Sequence, residues 1–129
     1  MRKKIIAVDF DGTIVEDGYP QIGKPKERVF EVLIRLQNDG FRLLLWTYRH
    51  GRALEDAVKF CKEHGVVFYA VNKNFPEEEY DASVPRKLLA DVYIDDRDIR
   101  GMLEWEEIYQ LLTNDSLPKR PRKSRFFPW

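Results

Sequence analysis

Two aspartates one residue apart, Asp9 and Asp11, close the β-branched run in "IIAVDFDGT". Carboxylates rarely sit that near a buried run unless something pairs with them. A metal, a covalent reaction or an ordinary helix cap at the strand exit would each supply a reason. A second pair, Asp95 and Asp96, ends another apolar run in "DVYIDD", while Thr47 closes "FRLLLWT" and Asn72 follows "VVFYAV".

Side chains two apart on a strand point to one side, so Asp9 and Asp11 can lean over a single spot. Brought together with Asp95 and Asp96 they would repel strongly unless a cation sat among them. Carboxylate oxygens with room left for water and phosphate oxygens describe a Mg²⁺ site, and Asp9, Asp11, Asp95 and Asp96 are its candidate ligands. Thr47 adds a hydroxyl and Lys87, shortly before the last of these runs, an ammonium. A carboxylate nucleophile, a metal, a hydroxyl and a cation are the parts that phosphoryl transfer needs, because the group must be positioned and its charge neutralised.

The elements that would position these residues alternate along the chain. "KKIIAVDF" is of strand length; "PKERVFEVLIRLQNDG" places Val29, Val32, Leu33 and Leu36 on one helical face, with Pro near its start and Asn-Asp-Gly at its end. "FRLLLWT" is a buried strand, and "RALEDAVKFCKEHG" a helix with Leu54, Ala57, Val58 and Cys61 on one face. "VVFYAV" predicts a third strand, "ADVYIDD" a fourth, and "GMLEWEEIYQLL" a last helix, while "NKNFPEEEYDASVPRKLL" is a polar loop with room for one helical turn. Strands alternating with helices imply βαβ units and a parallel sheet covered on both faces, an α/β fold. In such sheets ligands bind beyond the carboxyl ends of the strands, where Asp9, Asp11, Thr47, Asn72, Asp95 and Asp96 fall.

Composition narrows the class. With 129 residues, 43% hydrophobic and 34% charged, the chain suits one soluble domain. Ile5 to Val8 is too short for a signal peptide or a membrane span, which excludes a membrane role. The lone Cys61 allows no internal disulfide and fits a reducing cytoplasm. Formal charge is zero, yet the tail holds Lys119, Arg120, Arg122, Lys123 and Arg125 and no acid; 22 basic residues less these five leave 17 against 22 acidic in residues 1–117, about −5. That balance argues against nucleic-acid binding by the body of the fold. The expected organisation is one domain over 1–117 and a Pro-rich basic tail over 118–129, whose Phe126, Phe127 and Trp129 could dock on a neighbouring subunit, contact nucleic acid or stay irregular.

"DFDGT" after an apolar strand, "LLLWT", Lys87 and "DVYIDD" resemble, in order, the four motifs of haloacid dehalogenase-like (HAD) phosphatases over residues 5–112. The resemblance implies a Rossmann-like three-layer sandwich and a Mg²⁺-dependent phosphoric monoester hydrolase. It makes Asp9 the nucleophile that forms an aspartyl-phosphate, and Asp11 the general acid and then the base. Thr47 and Lys87 would hold phosphoryl oxygens, with Lys73 as the alternative because Lys87 lies only eight residues before Asp95. The metal would bind Asp9, the backbone carbonyl of Asp11, and Asp96 or Asp95. Only about a dozen residues, "TIVEDGYPQIGK", follow the first motif and about twenty the third strand, so neither insertion point houses a cap domain. An uncapped site is covered by a large substrate or by another copy of the chain; the substrate is a phosphorylated small molecule or a phosphoryl group exposed on something larger.

Plainer roles compete. Asp9 and Asp11 could form a surface turn with a helix cap, Asp95 and Asp96 a solvated strand end, Thr47 a partner for backbone groups, and Lys87 a solvated lysine. Arg49 and Asn72 are candidate substrate contacts, as are Arg52, Asp17 and Tyr19; His50 reads as exposed, and Trp46 and Trp105 as packing. Two other functions share the fold: a phospho-receiver module and a catalytically silent binding protein. A receiver places its phosphorylated Asp at the end of the third strand, where this chain has "YAVNKN".

Overall fold

The computed structural model describes residues 4–119. Its elements in chain order are β1 (Ile5–Val8), α1 (Val29–Asn38), β2 (Arg42–Leu45), α2 (Gly51–Glu63), β3 (Ala70–Val71), β4 (Val92–Ile94) and α3 (Trp105–Thr113). All pairings are parallel, in the order β3-β2-β1-β4. The register runs from Ile5↔Arg42 to Val8↔Leu45 on one side of β1 and from Ile6↔Val92 to Val8↔Ile94 on the other.

Alternation along the strands divides the core. Ile6, Val8, Leu43, Leu45 and Ile94 share one buried cluster with Val29, Val32, Leu33 and Leu36 of α1, Ala57 and Cys61 of α2, and Trp105, Ile108 and Tyr109 of α3. Ala7, Leu44 and Ala70 belong to a second cluster, with buried Leu88 and with half-buried Trp46 and Ala90 packed beside it. The steps β1 to β2 to β3 run one way along the sheet, and right-handed crossovers therefore place α1 and α2 together. The return from β3 to β4 crosses β2 and β1 and brings the long segment 72–91 to the second cluster. Each fully buried Ile, Leu or Val side chain adds on the order of 1.5–3 kcal/mol.

β3, α1 and α3 begin several residues later than the sequence predicts. Of "VVFYAV" only Ala70–Val71 is strand. The Val66 N–H caps Cys61 O at 3.0 Å and the Val67 N–H donates to Gln37 Oε1 at 2.9 Å, so these donors serve helix ends rather than the sheet. α1 begins at Val29, after Arg28 turns the chain at φ 63° and pairs with Glu31 and Glu106 at 2.6 and 3.2 Å. α3 begins at Trp105 rather than near Gly101, and segment 72–91 holds turns and bends but no helix.

The fold reaches Leu117, which is buried, and Pro118, whose carbonyl accepts a hydrogen bond from Arg28. The aromatic residues and most of the basic residues of the tail lie outside the described residues. Cys61 is buried in the core, and burial pushes its thiol up to about 12. Among the described residues no helix is long and apolar enough to cross a membrane.

Candidate functional site

Parallel strands end at one edge, and the backbone holds that edge for one residue beyond β1, β2 and β3. The Asp9 N–H donates to Ile94 O at 3.0 Å, the Trp46 N–H to Val8 O at 2.8 Å and the Asn72 N–H to Leu45 O at 2.7 Å. A cleft of about 680 Å³ opens there. Asp9, Asp11, Thr47, Asn72, Asp95 and Asp96 all line it.

Asp9, Asp95 and Asp96 each present a carboxylate oxygen within 4.8 Å of the others. The loop after β1 builds this cluster. Thr13, fully buried, donates its hydroxyl to Asp9 Oδ2 at 2.9 Å and accepts the Asp96 N–H at 2.9 Å, joining the ends of β1 and β4. Its carbonyl accepts the Trp105 Nε1–H at 2.9 Å, which ties the loop to α3. Gly12 stands at φ +85°, and a Cβ there would lie 2.2 Å from Asp96 Oδ2; no other residue lets that carboxylate come so close. Asp9 is pushed up to about 7, first by burial, with the Asp95 charge and Asp96 adding to the shift and the Thr13 hydrogen bond opposing it. Three crowded carboxylates, one of them so perturbed, are a donor set suited to a hard divalent cation.

The Asp11 side chain stands outside this cluster. Arg49 Nε–H donates to Asp11 Oδ2 at 2.7 Å and Arg49 Nη2–H to Asp11 Oδ1 at 2.8 Å. The other guanidinium donors reach Gln21 O at 2.7 Å, and Pro20 O and Ala53 O at 3.2 Å each. All five donors are engaged and the side chain is only 1% exposed, between the rings of Phe10 and Tyr19. Arg49 therefore ties Asp11 to the loop at Pro20 and Gln21 and to α2, and has no donor left for a substrate. Arg49, a candidate substrate contact, thus lines the cleft with its guanidinium engaged inside the protein.

The remaining residues divide. The Thr47 hydroxyl accepts the Arg49 N–H at 3.1 Å, and the Thr47 N–H donates to Asn72 Oδ1 at 2.8 Å. Asn72, at φ 55°, thus supports the end of β2 with its side-chain carbonyl while lining the cleft. Lys87 lies outside the cleft lining, its ammonium 5.1 Å from the Tyr93 ring centroid, whereas Lys73, the alternative, lines the cleft. Asp17 and exposed His50 line it too; Tyr19 instead packs its ring at a tilt against Tyr48, with centroids 5.1 Å apart, and Arg52 is exposed beside Asp56. Sequence reasoning missed Arg86 and Tyr80, which lie in the loop wall where no periodicity signals their approach. It also gave no role to Gly12 and Thr13, although "DGT" stands in the sequence.

A parallel α/β sheet of Rossmann-like arrangement, with acids converging beyond its strand ends, is the class that fold and site define. No family model matches the chain, and no curated protein matches it. Among solved structures it is similar to a conserved protein from Bacteroides thetaiotaomicron, at 44% identity over 88% of this chain and 92% of that one, with a TM-score of 0.82. The chain belongs to the family of that protein. A D,D-heptose 1,7-bisphosphate phosphatase from B. bronchiseptica, complexed with magnesium and phosphate, matches at 20% identity over 53% of this chain and 48% of that one, with a TM-score of 0.42, too low to carry an argument.

Proposed function

We propose that the protein is a phosphomonoester hydrolase of HAD type, working through an aspartyl-phosphate on Asp9. The observation that carries this reading is the convergence of Asp9, Asp95 and Asp96 within 4.8 Å at the strand ends, under an open cleft. Asp9, Asp95 and Asp96, with the backbone carbonyl of Asp11, would hold Mg²⁺. When bound, the ion supplies a positive charge that neutralises phosphoryl oxygens.

The chain's own groups do the rest. Thr13 holds Asp9 Oδ2, fixing the carboxylate at the cleft floor. Attack by the Asp9 carboxylate on phosphorus forms the acyl-phosphate bond and breaks the ester bond, and the leaving oxygen takes a proton from Asp11. Asp11 can carry that proton only by giving up one of its two bonds to Arg49, so proton transfer is coupled to the clamp. Water then attacks phosphorus, Asp11 takes up its proton, and phosphate leaves. Lys73 and Thr47, which line the cleft, would meet phosphoryl oxygens.

The test is phosphate release from p-nitrophenyl phosphate and a panel of phosphorylated metabolites. Activity that requires Mg²⁺ and is abolished by EDTA and by Asp9→Asn supports the reading. A folded protein that binds Mg²⁺ and hydrolyses none of the panel contradicts it.

A further inference from the structure

Arg86 and Tyr80 belong to the segment joining β3 and β4, and both line the cleft. The Arg86 guanidinium stands 4.5 Å from the Tyr80 ring centroid, and its Nε–H donates to the Tyr80 hydroxyl at 3.2 Å. Stacking and a hydrogen bond together orient the planar group. Among the described residues no carboxylate pairs with Arg86, and its terminal amino groups have no acceptor. Of the two other arginines that line the cleft, Arg97 is exposed and follows Asp95 and Asp96 directly, whereas Arg49 is the contrast: it is buried, with every donor engaged.

An arginine held by an aromatic ring with its fork open to a cleft matches a carboxylate or phosphate. Arg86 makes no ion pair with Asp9, Asp95 or Asp96, so its charge is not absorbed by the cluster. A cleft of about 680 Å³ also exceeds what one phosphoryl group fills and lies in the range of small-metabolite sites. We propose that Arg86, oriented by Tyr80, binds a second anionic group of the substrate. The site then favours phosphomonoesters that also carry a carboxylate or another phosphate over those of neutral alcohols. This rests on the phosphatase reading above and names its substrate class.

The test compares kcat/KM within two pairs. Phosphoglycolate against ethyl phosphate probes a carboxylate; fructose 1,6-bisphosphate against fructose 6-phosphate probes a second phosphate. In at least one pair the ester with the second anionic group is expected to be preferred about tenfold or more, chiefly through KM, as for a hydrogen-bonded charge. Arg86→Ala should bring that ratio close to one, Arg86→Lys should keep part of it, and Tyr80→Phe should reduce it. Wild-type hydrolysis without preference in either pair, or a preference undiminished in Arg86→Ala, overturns the inference and leaves the phosphatase reading standing. Loss of both members of a pair in equal proportion overturns it too, because Arg86 would then act on the reacting group. Wild-type protein that hydrolyses neither these esters nor p-nitrophenyl phosphate overturns the phosphatase reading and the inference with it.

Discussion

Arg49 grips both carboxylate oxygens of Asp11, at 2.7 and 2.8 Å, in a setting where neither side chain is more than 2% exposed. A buried pair of this kind is costly to break from one side, because the remaining charge loses its partner. Arg49→Ala should therefore lower unfolding free energy by about 3–5 kcal/mol in chemical denaturation. Arg49→Lys, which keeps the charge and loses the fork, should fall between the two. An alanine variant as stable as wild type would show that the clamp is not structural.

Gly12 faces Asp96 Oδ2 so closely that a methyl group fits only if that carboxylate shifts, at a φ that disfavours other residues. Gly12→Ala should displace Asp96, weaken Mg²⁺ binding in calorimetry and cost about 1–3 kcal/mol of stability. Unchanged metal affinity would mean that Asp96 does not need this close approach.

Asp9 sits at about 7 rather than its ordinary 3.8, so folding opposes its ionisation. The resulting penalty is absent below 3.8, grows as pH rises, and is complete above about 7. In EDTA, Asp9→Asn should consequently melt several degrees above wild type under mildly alkaline conditions and show little advantage at acid pH. Added Mg²⁺ should raise the melting temperature of wild type more than that of the variant. An Asn variant that is less stable at alkaline pH would contradict the assigned crowding.

The Cys61 thiol is pushed up to about 12 by burial alone. It should resist a disulfide reagent in the native protein and react fully once the chain is unfolded. Rapid labelling under native conditions would place Cys61 outside the core described here.

Much of this site was legible because strand ends are legible. Apolar runs stop at polar residues, and parallel topology then sends Asp9, Thr47, Asn72 and Asp95 to one edge. The helical faces of α1 and α2 followed from the spacing of Val29, Val32, Leu33 and Leu36, and of Ala57 and Cys61, all of them buried. What escaped depends on contacts between distant segments. Nothing in "TYRHGR" says that Arg49 turns inward to Asp11, across 38 residues, rather than outward to a ligand. Likewise, a segment without periodicity hides which of Lys73, Arg86 and Lys87 faces the cleft. "VVFYAV" carried strand propensity over its full length, but its first amide donors were claimed by the end of α2 and by Gln37.

The central claim is that Asp9 itself carries the phosphoryl group. Acid quenching of the protein mixed with a hydrolysed phosphomonoester, followed by peptide mass spectrometry, tests it most directly. The expected result is the mass of one phosphoryl group on the peptide containing Asp9, lost on hydroxylamine treatment and absent from Asp9→Asn. Turnover with Asp9 unmodified, or with the phosphoryl group on another residue, would contradict it.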